Sequence, residues 1–194
     1  LLQKVYNHLQ TGKPARELEY DEEEMAVMKE LQLLTMKPML YVINDDEAPS
    51  NKLENVAIGG GAGQIRICAK LEAELADLTD AEAREYLKTL GVVETGLDKL
   101  IGSCYQLLNL VTYFTSGEPE TRAWTVQKNT KAPQAAGVIH TDFIKGFVKA
   151  DVVNWQDFVE CGGWTKLKES GKMRLEGKEY VVQDGDVCYF HINA

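Results

Sequence analysis

The chain has 194 residues and a net charge of -9, with 44% hydrophobic and 26% charged residues. This length allows one large domain or two small ones, and the balance is typical of a soluble globular protein. No apolar run approaches the roughly 20 residues of a membrane span, and a generic nucleic-acid coat protein would be basic, so we expect no membrane and no DNA partner. The four scattered cysteines include no C-x-x-C pair and have no histidine at zinc-ligand spacing. They argue against a metal site and favour reduced thiols in the cytoplasm.

The N-terminal part of the chain predicts two helices followed by a buried strand. Apolar residues at helical spacing predict a first helix over Leu1–Leu9, and Asp21 is a good N-cap for a second helix that runs to about Thr35. After Pro38, the apolar run Met39–Asn44 is typical of a strand that is buried on both faces, as in a parallel sheet.

A second strand, parallel to the first, is predicted at Ile65–Ala69. The segment between the strands, with a short helix predicted over Asn51–Val56 and a glycine cluster at Gly59–Gly63, is long enough for the crossover that parallel strands require. A phosphate-binding loop needs a helix after its glycines, whereas Gln64 and a strand follow them here. We therefore interpret the glycine cluster as a flexible turn.

The character of the chain changes around a polar, turn-forming segment at Thr115–Glu120. On its N-terminal side, Thr79 and Thr95 are predicted N-caps of two further helices, which completes an α/β region. The C-terminal side is predicted to be an α+β region with a mixed sheet. The predicted strands are Val111–Thr115, Arg122–Lys128, Phe143–Val153, Tyr180–Val182 and Val187–Ile192. The predicted short helices are Trp155–Glu160 and Trp164–Glu169.

Polar residues follow both predicted parallel strands, as NDDE at Asn44–Glu47 and CAKLE at Cys68–Glu72. Ligands of open α/β sheets bind beyond the carboxyl ends of the strands. An Asn followed three residues later by an acid resembles the base-recognition motif of P-loop nucleotide hydrolases, with Glu47 replacing the usual aspartate. An Asn amide both donates and accepts, so Asn44 can match the N6 donor and ring acceptors of adenine. Alone, N-x-x-E is more typical of a polar strand-to-loop junction, but its combination with CAKLE favours nucleotide-base binding.

The stretch HTDF, at His140–Phe143, contains residue types that move protons or bind metals. Catalysis would require a positioned nucleophile or a ligand cluster, and neither motif is present in the sequence. We expect instead a turn in which the side chains of Thr141 and Asp142 hold backbone groups, with a binding surface as the alternative. Four lysines around this stretch could meet phosphate or a partner chain together with His140. They are Lys128, Lys131, Lys145 and Lys149.

Longer segments of the chain strongly resemble the Obg-like ATPase (YchF) family. The resemblance is carried by TYFTSGEPETRAWTVQKNTKAPQAAGVIHTDFIKGFVKADVV, by EGKEYVVQDGDVCYFHIN, and by the order NDDE, CAKLEAEL, GLDKLIGSCYQLLNLVTYFT. It implies that residues 1–36 are the returning arm of an inserted helical hairpin, and that residues 37–115 are the end of a P-loop nucleotide-binding domain. Residues 116–194 would form a TGS domain, which is a β-grasp module.

The resemblance also implies roles for single residues. Asn44 and Glu47 match the family's N-x-x-E, Asp45 matches the position whose backbone lies against the base, and Cys68 and Ala69 match the loop that supports the base from the other side.

At the level of function, the resemblance implies a cytoplasmic, translation-associated hydrolase that binds ATP, or GTP, with Mg²⁺ and associates with the ribosome through RNA or protein. The phosphate-binding motif G-x-x-x-x-G-K-[ST] is absent from the sequence, so nothing here would cradle phosphates or place the metal. We therefore expect no ATPase activity and no tightly bound nucleotide for this chain alone. The alternative is a non-catalytic TGS module that docks through the four lysines and His140.

Overall fold

The computed structural model describes residues 1–45 and 63–193. It divides into two compact units, Leu1–Leu107 and Leu108–Ala194. The predicted three-part division at residues 36/37 and 115/116 remains a prediction, although the contacts assign residues 108–115 to the C-terminal unit. The glycine cluster up to residue 62, the short helix predicted at Asn51–Val56, and Glu47 lie outside the described residues.

The N-terminal unit begins with helices α1 (Leu2–Gln10) and α2 (Glu22–Leu31). Asp21 caps α2 as predicted, in a reciprocal capping box with Glu24. The predicted second helix is too long, because Gln32 adopts the left-handed conformation at φ 47° and ends it. Two short 3₁₀ turns also occur, at Ala15–Glu17 and Leu34–Met36. The buried residues of this part are Val5, Ala15 and Met28.

Strands β1 (Leu40–Asn44) and β2 (Gly63–Ile67) form a parallel pair, as predicted, and Asn44 lies opposite Ile67. The prediction that β1 is buried on both faces is wrong, because within residues 1–45 and 63–193 its sheet has two strands and Val42 is 45% exposed. The predicted second strand is shifted, because Cys68 caps a helix and Ala69 belongs to that helix rather than to the strand. Three helices follow: α3 (Ala69–Ala76), α4 (Asp80–Thr89) and α5 (Gly96–Leu107). The predicted caps at Thr79 and Thr95 are both present.

The C-terminal unit is a five-stranded mixed sheet in the order β4-β3-β7-β5-β6. Its strands are β3 (Leu110–Ser116), β4 (Thr121–Gln127), β5 (Phe147–Asn154), β6 (Arg174–Glu176) and β7 (Asp186–Ile192). Its helices are α6 (Ala132–Ile139), α7 (Asp142–Gly146), α8 (Trp155–Cys161) and α9 (Trp164–Ser170). Helix α6 packs on one face around Tyr113 and Ala150, while α8 and α9 cover Val153 and Val187 on the other. The predicted class, α/β followed by α+β, is confirmed.

Two predicted strands of the C-terminal unit are wrong in part. The run Phe143–Val153 starts as helix α7, because Phe143 donates its N–H to the His140 carbonyl and buries its ring against the core. The segment Tyr180–Val182 is a loop with one bridge between Val181 and Lys131, because the Tyr180 N–H bonds to the Gly177 carbonyl in a turn instead of pairing with a strand. Helix α6 has no predicted counterpart, although Pro133 near its start and the alanines after it are a recognisable signal.

Candidate functional site

Asn44 joins the carboxyl ends of the two parallel strands. Its Oδ1 atom accepts a hydrogen bond from the backbone N–H of Ala69, with an N···O distance of 3.0 Å. Because a backbone N–H needs an acceptor, the oxygen of the carboxamide must face Ala69, and Nδ2 is left to donate elsewhere. The side chain lies at an exposed position. Asn44 therefore presents two N–H donors at the place where a ligand of an α/β sheet binds.

Asp45 is held by both its backbone and its side chain. Its N–H donates to the Ile67 carbonyl at 2.9 Å, which continues the pairing of β1 with β2 by one residue. Its carboxylate forms an ion pair with Arg66 at 2.9 Å, and both side chains are largely shielded from solvent. This pair fixes the backbone at residue 45, the position that the family resemblance places against a base.

Cys68 and Ala69 begin helix α3 directly after β2. The Cys68 sulfur accepts a hydrogen bond from the Leu71 N–H at 3.4 Å, in the manner of an N-cap. The first helical N–H, that of Ala69, is satisfied by Asn44. The helix start is thus anchored from two sides, and its position relative to Asn44 is defined.

Glu72 supports this region, and sequence reasoning missed its role. Its carboxylate accepts hydrogen bonds from the N–H groups of Gly96 at 2.6 Å and Leu97 at 3.3 Å, at the start of helix α5. A negative charge at a helix N-terminus is stabilising because of the helix dipole. Nothing in the local spacing of Glu72 and Gly96 indicated this contact, because 24 residues separate them.

The HTDF stretch joins α6 to α7, with His140 and Thr141 between the helices and Asp142 and Phe143 at the start of α7, and its side chains act differently from the prediction. Thr141 makes no capping hydrogen bond to α7. The Asp142 N–H is held instead by Nδ1 of His140 at 3.3 Å, and the His140 ring lies 5.7 Å from that of Phe143. With Nδ1 accepting, the neutral imidazole carries its proton on Nε2, which can donate outward.

The four lysines around this turn lie on different elements. Lys131 precedes α6 and forms an ion pair with Glu179 at 2.5 Å, whereas no ion pair of the other three is found within residues 1–45 and 63–193. Lys149 lies on β5, opposite His191 of β7. The remaining two are Lys128, which follows β4, and Lys145, which belongs to α7.

Two comparisons identify the family. The family model YchF-GTPase_C, described as a protein of unknown function (DUF933), matches residues 110–193. The ribosome-binding ATPase YchF of Bacillus subtilis (strain 168) is 48% identical over 203 residues, which cover 100% of this chain and 56% of that protein. The chain belongs to the Obg-like ATPase (YchF) family. It spans about half the length of its curated YchF relatives.

Two further YchF proteins support this assignment. The ribosome-binding ATPase YchF of Haemophilus influenzae is 43% identical over 200 residues, which cover 100% of this chain and 55% of that protein. The solved YchF GTPase of Schizosaccharomyces pombe has a TM-score of 0.79 and 36% identity, covering 97% of this chain and 53% of that one. The YchF family model includes the HTDF turn and all four lysines, whereas Asn44 and Ala69 lie in the part that matches only the longer relatives.

Residues 1–45 and 63–193 contain no group of three or more His, Cys, Asp or Glu side chains that could hold a metal ion. In the same residues, no helix has the length and apolar character needed to cross a membrane.

Proposed function

We propose that the ends of β1 and β2 are half of a purine-base pocket in a longer protein that binds ATP, or GTP. The observation that carries this proposal is the hydrogen bond from the Ala69 N–H to Asn44, which fixes the carboxamide at the carboxyl end of β1. Cys68 and Ala69 support the base from one side, and the backbone at Asp45 lies against it. Glu47 is the expected acidic partner, as the sequence motif implies.

The orientation of Asn44 determines which base atom it reads. Because its oxygen already accepts a hydrogen bond from the Ala69 N–H, we assign the two Nδ2 donors to the base. Their natural acceptor is the ring nitrogen N7, which adenine and guanine share. Asn44 thus contributes affinity for purines, and the choice between ATP and GTP rests on other groups of the intact protein.

This proposal is tested by measuring ATP and 7-deaza-ATP binding to the intact protein and to its Asn44→Ala variant. Loss of one hydrogen bond should weaken ATP binding about 2- to 13-fold, the equivalent of about 0.5–1.5 kcal/mol. The parent protein should bind 7-deaza-ATP more weakly than ATP, and the variant should not distinguish them. The Asn7→Ala variant, which alters an exposed asparagine of α1, is the control. Equal ATP affinity in the parent and Asn44→Ala proteins would contradict the base pocket.

Hydrolysis is assigned to residues that this sequence does not contain. A P-loop positions the phosphates and Mg²⁺ for phosphoryl transfer, and the G-x-x-x-x-G-K-[ST] motif is absent from the 194 residues. We expect the chain by itself to show no ATP turnover above background, whereas a protein that joins it to a P-loop segment should hydrolyse ATP.

The second candidate function is docking on the ribosome by the C-terminal unit, as a TGS module. It is favoured by two exposed residues, His140, which directly follows α6, and Lys145, which belongs to α7. A ribosomal partner would also fit the expected cytoplasmic location. Co-sedimentation with ribosomes over a salt series tests it, because phosphate contacts make binding fall steeply with salt. Lys145→Ala should weaken co-sedimentation, and Lys13→Ala, at an exposed position of the other unit, should not.

A further inference from the structure

A hollow beside helix α4 is built by residues that the candidate base pocket does not use. Its volume is about 410 Å³. Its walls come from the last turns of α4 and from the segment that follows the helix. The residues that line it are Arg84, Leu87, Lys88, Gly91, Val92 and Val93. We refer to it as the α4 hollow.

The walls of the α4 hollow are fixed by the way in which α4 ends. Gly91 has the left-handed conformation at φ 70°, which glycine adopts without steric cost. The Gly91 N–H donates to the Lys88 carbonyl at 3.1 Å, and the Val92 N–H donates to the Leu87 carbonyl at 3.0 Å. In this common helix ending, the residue after the glycine folds back onto the last turn. Val92 accordingly packs with Leu87, which is buried, so the hollow exists before any ligand binds.

Two cations stand at the rim of the α4 hollow. Arg84 and Lys88 are exposed and lie about one helical turn apart on the same side of α4. Neither side chain forms an ion pair within the described ranges 1–45 and 63–193. The chain as a whole has a net charge of -9. Two uncompensated positive charges at one place on an acidic protein favour a ligand that carries carboxylates.

An apolar side chain beside the hollow is completely open to solvent. Val93 is 100% exposed. Single exposed apolar residues are normal on protein surfaces, but Val93 lines a hollow whose floor is formed by Leu87 and Val92. Sites for small molecules bury about 70% or more of the surface of the ligand. Because Val93, Arg84 and Lys88 are all exposed, the hollow can receive one apolar side chain but cannot enclose a whole small molecule.

The floor and the rim together fit a peptide. An apolar side chain of the peptide would fill the hollow, and acidic neighbours would meet Arg84 and Lys88. A nucleic acid fits less well, because α4 itself carries three carboxylates and the hollow offers no aromatic ring on which a base could stack. We propose that the α4 hollow binds an acidic peptide segment of a partner protein through one apolar anchor residue. This inference goes beyond the proposed function and does not depend on the base pocket.

The test selects short random peptides from a displayed library on the intact protein. The enriched peptides are then synthesised with a fluorescein label and titrated with the protein and its variants. One group of them should combine an apolar residue with two or more acidic neighbours. Val93→Ser should weaken the binding of this group about 4- to 15-fold, the value for one or two buried methyl groups. Arg84→Gln combined with Lys88→Gln should weaken it about 2- to 30-fold, the range for two exposed ion pairs.

Matched variants separate a direct contact from effects of folding and of overall charge. Val27→Ser alters a valine of α2 that is 44% exposed, and Lys29→Gln combined with Lys37→Gln removes two positive charges from exposed positions. Both should bind the peptides as the parent does. Val93→Ser should also leave ATP affinity unchanged, so the result for the α4 hollow and the result for the base pocket can fail separately.

Several outcomes would overturn the inference. These are that no enriched peptide loses affinity in Val93→Ser, that the peptides which do lose affinity lack acidic residues, or that the control variants weaken binding equally. If octanoate binds the hollow and the peptides do not, the ligand is a small carboxylate. If the protein self-associates in sedimentation equilibrium and Val93→Ser abolishes this, the occupant is a second copy. Either of these last two results also rules out the peptide.

Discussion

The Oδ1 atom of Asn44 accepts a hydrogen bond from the Ala69 N–H at 3.0 Å, so the last residue of β1 holds the first residue of α3. The contact satisfies a helix N–H that has no partner within the helix. It also fixes the oxygen of the Asn44 carboxamide towards Ala69, which sets the orientation of the Nδ2 donors. One hydrogen bond thus serves both the local fold and the candidate site.

Ala69→Pro should remove this hydrogen bond without breaking the helix. Proline is well tolerated at the first helical position, and the preceding Cys68 already has the extended conformation that proline favours, with φ -103° and ψ 100°. We expect the free energy of unfolding of the intact protein to fall by about 0.5–1.5 kcal/mol, and ATP binding to weaken because Asn44 is no longer oriented. Denaturant unfolding and nucleotide titration would measure the two effects. Unchanged ATP affinity in a stably folded variant would contradict the orienting role.

Glu72→Ala should destabilise the N-terminal unit. The substitution removes the acceptor of the Gly96 N–H, a partly buried donor at the start of α5, together with a charge that favours the helix dipole. The expected loss is about 1–3 kcal/mol in the free energy of unfolding. Glu85→Ala, at an exposed position of α4, is the control and should change stability by no more than about 0.5 kcal/mol. If Glu72→Ala lowers the free energy of unfolding no more than Glu85→Ala does, the contact of Glu72 with Gly96 does not stabilise the unit.

Two glycines of α5 should respond to alanine with opposite signs. A Cβ atom at Gly96 would lie 2.9 Å from Oε1 of Glu72 and 2.9 Å from Cβ of Ile67, whereas a Cβ at Gly102 would meet nothing within 4 Å. Gly96→Ala should therefore lower the melting temperature. Gly102→Ala should raise the free energy of unfolding by about 0.5–1 kcal/mol, because glycine is a poor residue inside a helix. Stabilisation by Gly96→Ala would contradict the close contact of Gly96 with Glu72 of α3 and Ile67 of β2.

Stability should decline at alkaline pH because of buried hydroxyl and thiol groups. Burial, with a smaller contribution from nearby Cys188, raises the pKa of Tyr113 above its ordinary value of 10.0. The tyrosine is then ionised in the unfolded chain but not in the folded one, so its contribution is complete below about pH 10 and is lost as the pH rises towards the folded pKa. Each such group should lower the free energy of unfolding by about 1.4 kcal/mol per pH unit in that range.

In Tyr113→Phe, the free energy of unfolding should fall less steeply above pH 10, by about 1.4 kcal/mol per pH unit. The substitution also removes the hydrogen bond that the hydroxyl donates to the Ala135 carbonyl, which lowers stability at every pH and leaves the slope unaffected. Urea unfolding at a series of pH values above 10 would measure the slope. Tyr6→Phe, at an exposed site, should leave it unchanged. An unaltered slope in Tyr113→Phe would assign the decline to other groups.

Local signals in the sequence predicted the elements that have local causes. The capping boxes at Asp21 and Thr79 identified two helix starts, and the apolar run before Asn44 identified strand β1 but not its partial exposure. The start of α3 was missed because a cysteine is an uncommon N-cap, so the strand was extended through Cys68 into the helix.

Other features could not be predicted because their causes lie far away in the chain. The bond of Glu72 to Gly96 and that of Trp164 to Ser116 depend on how elements pack, which local periodicity does not encode. The same is true of exposure on the C-terminal sheet. Residues facing opposite sides alternate along β5 and β7, as in any strand, and the placement of α8 and α9 decides which residues on their side are covered.

The position of β7 in the sheet also restricts the order of events during synthesis. This strand, Asp186–Ile192, lies between β3 and β5, so it separates two parts of the sheet that are made much earlier. Until it emerges, the β3–β4 hairpin and β5 have no shared partner, and the core around Tyr113 lacks Cys188. Pairings between such distant segments form slowly. The newly made C-terminal unit therefore passes through a stage in which strand edges are unpaired, and it completes its sheet only when its last strand has left the ribosome.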